Sequence, residues 1–426
     1  MSLPRAPRHG RARHRRPLPR TTRRPARRRV AAAVVVVLAA IAFVVVQLVR
    51  PVPAVAATGA TAVTTLPGSP APLAWPSQGQ AAIGVEGAGV LAQHGTAPAP
   101  LASVTKLMTA YLVLHDHPLA KTATGPSVTI TATDVTTYQN DLAQGDSVVA
   151  VTAGEQLDER QLLEGLLIPS GDNIAALLAA WDAGSEPAFV TKMNATARRL
   201  GLRDTHYADA SGVTPKTVST AAAQVRLAMD DMTMPAFRAI VGMTQATLPV
   251  AGTVYNVDAL LGTDGIVGVK TGYTPQAGGC FVFAAVTKVG GRTRTVVGAV
   301  LGQQSTPSQP SVLTEAFDAS TALLTSAEPS LEQETVVRAG AVLGHLRAPW
   351  ASTVALRATR TVTLTGLAGT RVRTVVDLPA PVTPPVAGGR RLGSALVELG
   401  GQRVRVPLAT GGPLPGASLS WRLTDL

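Results

Sequence analysis

Cysteine is almost missing from this chain. Cys280 is the only one in 426 residues, so no intrachain disulfide can form and stability must come from packing. The thiol sits in the apolar run CFVFAAV, where it reads as a small buried hydrophobe rather than a reactive group. Lysine is scarce too: only six of the 38 basic residues are Lys. Acidic residues are absent from residues 1-29, which hold twelve Arg, so residues 30-426 carry 26 basic against 26 acidic side chains. The net charge of +12 therefore belongs to a tail, and the rest of the chain gives no reason to propose nucleic-acid binding. The seven His are scattered, with only His115 and His117 close together, so the pattern calls for no metal and no cofactor.

What is present begins with a membrane segment. Residues 30-49, VAAAVVVVLAAIAFVVVQLV, are uncharged and about as long as the ~20 residues a helix needs to cross the hydrocarbon core. Arg on the N-terminal side keeps that end in the cytoplasm, which predicts a single-pass protein of the cell membrane with the bulk of the chain exported. Ala54-Val55-Ala56 resembles a small-residue cleavage site, so the alternative is a cleaved signal and a secreted protein. Residues 50-77, rich in Pro, Ala and Thr, read as a linker.

From about residue 78 the pattern becomes globular. QAAIGVEGAGVLAQHG predicts a β-hairpin, and VTKLMTAYLVLHD, opened by Ser103, a helix with Leu107, Met108, Tyr111 and Leu112 near helical spacing. Further helices are expected at 157-168, 173-182 and 185-200, strands at 265-273, 280-288 and 294-301, and a last helix at 312-325. Strands, then helices, then strands describe an α+β domain with an antiparallel sheet over 78-328. Beyond it, residues 331-426 alternate apolar and polar positions between Gly and Pro clusters, including VALRATRTVTL, QRVRVPL and a strand-like SLSWRLTDL, as a small β-sandwich would.

Three motifs carry chemistry. In Ser103-Val104-Thr105-Lys106, at a helix start, residues three apart share a face, so the Lys106 amine can take the Ser103 proton. A general base must shed its proton near neutral pH, which a desolvated amine can do and a guanidinium cannot, so a Lys here in an Arg-rich chain is informative. The loop Pro169-Ser170-Gly171-Asp172-Asn173 can present Ser170 as a proton relay, although Ser, Gly and Asp also serve as ordinary helix caps. Lys270-Thr271-Gly272-Tyr273, on a predicted strand, offers an ammonium and a hydroxyl for a substrate carboxylate, with Gly272 permitting close backbone approach.

In this order and spacing the motifs resemble the penicillin-binding serine acyltransferases. The flanking text LASVTKLMTAYLVL, LLIPSGDNIA and NVDALLGTDGIVGVKTGYTPQAGGC is most similar to the D-alanyl-D-alanine carboxypeptidases, over roughly residues 78-328. The resemblance implies a penicillin-binding, β-lactamase-like fold with a closing β-domain. It implies that Ser103 attacks the bond between the last two D-alanines of a peptidoglycan stem peptide with Lys106 as base and Ser170 as relay. It further implies that Lys270 and Thr271 bind the terminal carboxylate, that the amides of Ser103 and Tyr273 form the oxyanion hole, and that β-lactams acylate Ser103.

Two departures stand out. The family's loop usually reads Ser-x-Asn, but here the third position is Asp172, followed by Asn173. Either Asp172 pairs with a catalytic Lys, or the loop shifts and Asn173 takes the substrate contact. Relatives often carry an Arg after the 294-301 strand, yet none occurs from 295 to 337. A class A β-lactamase would need a Glu-x-x-Leu-Asn loop, and ADASGVTPKTVSTAAAQVRLAM contains no Glu. A catalytically silent wall-binding scaffold is the remaining alternative.

Overall fold

The computed structural model describes residues 24–59, 61–70, 72–378 and 381–424. Most of the basic tail, residues 1–23, lies outside them. Ten α-helices are described: α1 Arg24–Val49, α2 Lys106–Asp116, α3 Ala132–Gln144, α4 Glu159–Leu167, α5 Asp172–Ala183, α6 Glu186–Arg199, α7 Ala221–Asp231, α8 Pro235–Val241, α9 Val312–Ala327 and α10 Leu419–Thr424.

Period-2 alternation builds the central sheet. Its five antiparallel strands run in the order Ile266–Thr274, Gly278–Val289, Arg292–Gln303, Gln80–Val85, Gly89–His94. On the Gly278–Val289 strand, Cys280, Val282 and Ala284 join the core shared with α2, α5 and α7, while Phe281, Phe283 and Ala285 join the core under α9. Phe281 meets Phe317 of α9 edge-on at 5.0 Å. Gly298 makes room for this layer, since a Cβ there would fall 2.1 Å from the Phe283 ring. Cys280 is fully buried, and burial pushes its thiol up to about 12, which leaves it inert.

Local capping sets where the helices begin and end around the cleft. Thr131 and Asp134 form a capping box at the start of α3, and Gly145, left-handed at φ 81°, ends it. A second box, Asp158 with Gln161, starts α4. That helix stops at Leu167, so the chain turns through Pro169, Ser170 and Gly171 before α5 begins at Asp172.

The second domain is all-β over 331–410, a curled seven-stranded sheet beside a two-stranded one. Its core is aliphatic: Leu346, Leu356, Leu364, Val397, Val406 and Leu408 are all buried. Two sequence-based expectations are corrected here. Part of the expected linker is structure, because Ala56–Gly59 pairs with the 342–348 strand and Ala62–Thr65 with the 371–377 strand. Open edges of a sheet leave unpaired N–H and C=O groups, and these short runs satisfy them, although their Pro-rich neighbours hid the signal. The other correction concerns SLSWRL, which is helix α10 rather than a strand. The Ser418 hydroxyl accepts from the Trp421 amide, and the Arg422 guanidinium donates to the carbonyls of Gln47, Leu48 and Arg50 at the end of α1.

Among the described residues, one helix is long and apolar enough to cross a membrane, Arg27–Val49 within α1.

Candidate active site

Ser103 lies on a 3-10 turn, Ala102–Thr105, that runs directly into α2. Lys106 is fully buried at the junction, and its Nζ sits 2.8 Å from Ser103 Oγ. The same nitrogen lies 2.5 Å from Asp172 Oδ1 and 3.4 Å from both Ser170 Oγ and the Ser211 carbonyl. One amine thus touches the first two motifs at once.

The backbone is strained at both. Among the described residues only three non-glycine residues have positive φ, and two of them are Ala102, at 48°, and Ser170, at 69°. Left-handed conformations of this kind cost roughly 1–3 kcal/mol and persist where the surroundings hold them. At Ser170 the hold comes from Gly171 N donating to Gly165 O at 2.9 Å and Asp172 N donating to Ser147 O at 2.7 Å.

The two open possibilities at the second motif are separated by geometry. Asp172 Oδ1 pairs with Lys106, while Oδ2 accepts from the Ser147 amide at 3.1 Å. Asn173 points elsewhere: its side chain accepts from Val149 N and donates to Val149 O, both at 2.9 Å. Asn173 as a substrate contact is therefore corrected to a buried tie between α5 and the 149 segment, since its amide is turned to the Val149 backbone and the residue does not line the cleft.

Lys270 and Thr271 are buried on the Ile266–Thr274 strand, just before the Tyr273 and Thr274 that reach the cleft. Lys270 Nζ donates to the Thr271 carbonyl at 2.9 Å. Burial, then the charge of Lys106, holds the Lys270 ammonium well below the usual lysine range, against the opposing pull of Asp172 and Asp258. Asp258 is itself pushed up to about 6 by burial. Gly272 shows why this position has no side chain, because a Cβ would lie 3.0 Å from the amides of Ser103 and Val104. The strand edge is pressed directly against the nucleophile's turn.

These elements open on a cleft of about 340 Å³ lined by Ser103, Gln144, Gly145, Asp146, Ser147, Asp172, Gly212, Val213, Tyr273, Thr274 and Pro275. No arginine is among the lining residues described, in keeping with the missing Arg after the Arg292–Gln303 strand. Tyr273 is half exposed at the mouth. Sequence reasoning missed the α3 end of the cleft. There burial first, and the neighbouring carboxylates second, push Asp141 up to about 6, and Asp146 is raised in the same way. Ser211 was missed as well, because it acts through a backbone carbonyl that no motif spells out. Among the described residues no cluster of His, Cys, Asp and Glu is suited to a metal ion.

The family model for D-alanyl-D-alanine carboxypeptidases matches residues 78–305. A D-alanyl-D-alanine carboxypeptidase of Streptomyces sp. strain K15 is 34% identical over 237 residues, covering 50% of this chain and 76% of that enzyme. The DacF carboxypeptidase of Bacillus subtilis is 28% identical over 195 residues, covering 43% of this chain and 47% of that protein. Penicillin-binding protein 5 of Haemophilus influenzae shares the fold, with TM-score 0.61 at 22% identity over 82% of this chain and all of that one. The Streptomyces K15 DD-transpeptidase superposes with TM-score 0.50 at 28% identity, covering 62% of this chain and 98% of that one. The fold and site define a serine peptidase of the β-lactam-binding class. The chain belongs to the D-alanyl-D-alanine carboxypeptidase family.

Proposed function

We propose that this chain removes the terminal D-alanine from peptidoglycan stem peptides through an acyl-enzyme on Ser103, at the outer face of a bacterial membrane. The observation that carries the reading is the 2.8 Å contact between Ser103 Oγ and a wholly buried Lys106 amine. As Oγ attacks the carbonyl of the penultimate D-alanine, its proton passes to Lys106 Nζ. Ser170, 3.4 Å from that nitrogen, relays the proton to the departing amine. D-Alanine leaves, the ester on Ser103 remains, and water hydrolyses it. The amides of Ser103 and Tyr273 are assigned to the developing oxyanion, and Lys270 with Thr271 to the substrate's terminal carboxylate. A carboxylate entering beside Lys270 supplies the counter-charge that burial denies it.

β-Lactams present a similar amide and carboxylate and would acylate the same hydroxyl. The protein domains follow as a membrane anchor in α1 with a cytoplasmic N-terminus, a catalytic domain over 78-328 and a β-domain over 331-426. The strands Ala56–Gly59 and Ala62–Thr65 are added to that β-domain as its edges. Val55, inside the small-residue stretch 54-56, is buried and bridges Val382, which favours an uncleaved chain over a secreted product.

The test is release of D-alanine from a stem pentapeptide, with Ser103→Ala as control and an added amine to reveal acyl transfer. Turnover abolished by the substitution is the expected result. A wild-type protein that binds the peptide and releases nothing would establish the silent scaffold instead.

A further inference from the structure

Lys106 is surrounded by two kinds of partner. The hydroxyls of Ser103 and Ser170 can donate or accept, whereas the Asp172 carboxylate and the Ser211 carbonyl can only accept. In the state in which Lys106 takes a proton it is a neutral amine, with two N–H bonds and one lone pair. If the two acceptor-only groups take the two N–H bonds, the lone pair is left to the hydroxyls, and Ser103 at 2.8 Å is nearer than Ser170 at 3.4 Å. The base is aimed by what cannot donate to it.

One of those two groups is a backbone carbonyl in the loop 209–217, so its position depends on what holds the loop. That role falls on Asp209. Its Oδ2 accepts from the amides of Gly212 at 3.0 Å and Thr214 at 3.1 Å and from the Ser211 hydroxyl at 3.4 Å. Its Oδ1 accepts from the Thr217 hydroxyl at 2.5 Å. A single carboxylate therefore ties both sides of the turn that carries Ser211. The folded loop then rests on the nucleophile's own turn. Leu101 N donates to Thr217 O at 3.2 Å, and a Cβ on Gly212, at φ 92°, would fall 1.9 Å from Ala102 O. Thr109, on α2 beyond Lys106, donates to the Ala210 carbonyl at 2.6 Å.

We propose that Asp209 is a positioning residue for the acylation step, folding the 209–217 loop so that the Ser211 carbonyl orients the Lys106 lone pair toward Ser103. The inference rests on Ser103 and Lys106 being nucleophile and base. It assigns Asp209 no contact with substrate, so the loss on substitution falls on the chemical step.

The experiment compares wild type, Asp209→Asn and Asp209→Ala for the rate of acylation by a fluorescent penicillin and for kcat and KM of D-alanine release. Melting temperatures are recorded alongside. The Asn amide keeps an acceptor for Gly212 and Thr214 and can donate to Thr217, so Asp209→Asn stays within about fivefold of wild type. Asp209→Ala loses acylation rate and kcat by at least roughly 30-fold, with KM changed by less than about threefold, as expected when a reacting group is misaimed by a fraction of an ångström. If Asp209→Ala does not fold, Gly212→Ala, which lifts the loop from Ala102 and leaves Asp209 in place, is expected to show the same kcat-selective loss. Overturning results are a folded Asp209→Ala, or in its absence a folded Gly212→Ala, that acylates within threefold of wild type, or a loss confined to KM. A wild type that neither turns over nor acylates would instead sink the underlying assignment.

Discussion

The two domains bury different kinds of side chain. In the first, Lys106, Glu159, Glu164, Asp172, Asp231, Asp258 and Lys270 are all buried. In the second, the buried polar side chains among the described residues are the hydroxyls of Thr365, Thr374 and Thr410. Burying a charge is costly unless it is paired; Lys106 and Asp172 pair with each other in the cleft, whereas Glu159 bears that cost elsewhere in the same domain. The contrast places the buried charges in the first domain and leaves the second with a core of aliphatic side chains and a few hydroxyls.

Ser103→Ala should break the comparison most severely, abolishing acylation by penicillin and lowering D-alanine release at least ~10³-fold, as read by gel fluorescence and a D-alanine assay. A residual acyl-enzyme in that variant would move the nucleophile elsewhere. Asp172→Asn should cost no more than about tenfold in acylation rate, because the amide oxygen can still accept from Lys106. A complete loss would show that the carboxylate's charge, and not its acceptor geometry, is what the site needs.

The depressed Lys270 makes a pH prediction. A lysine held below its usual range is charged only at the lower pH values, so attraction for a substrate carboxylate weakens as pH rises. KM for a pentapeptide with a free carboxylate should rise with pH, while that of its C-terminal amide stays flat. Parallel profiles would remove Lys270 from carboxylate binding.

Glu159 offers a stability test away from the cleft. Burial raises it to about 7 from 4.5, and its Oε1 has no hydrogen-bond partner among the described residues. A raised folded-state value means that the favourable protonated form is fully present below pH 4.5 and is lost as pH rises through about 7. Glu159→Gln should therefore raise the melting temperature at pH 8 by roughly 2–4 °C and leave it unchanged at pH 4. The smallest effect on activity is expected from Leu408→Ala in the second domain. It should destabilise that core by about 2–5 kcal/mol while acylation stays within experimental error. A matching fall in acylation would join the two domains functionally.

Much of the site was legible because its chemistry is local in sequence. Ser103 and Lys106 are brought together by helical spacing alone, and Gly272 by the need for close approach at a strand edge. The five-stranded sheet was legible for a similar reason, since Cys280 through Ala285 alternate between two cores. The edge strands at 56–59 and 62–65 were not, because their pairing partners lie some 280–310 residues further on and only those partners make the segments strands. Nor was α10, whose six residues are held by the α1 carbonyls rather than by propensity.

By itself, then, the sequence determined the strand–helix–strand succession of the first domain, the family's three motifs and the identity of the acid at position 172. Whether Asp172 or Asn173 faces the reacting groups was decided only in three dimensions, by the turn through Gly171 into a helix that begins at Asp172 and by a neighbouring segment that holds the Asn173 amide. The same is true of the Ser211 carbonyl on Lys106, 105 residues away in the chain. Backbone groups carry no residue-specific signal, so their part in a site exists only once the loop that presents them has been packed against it.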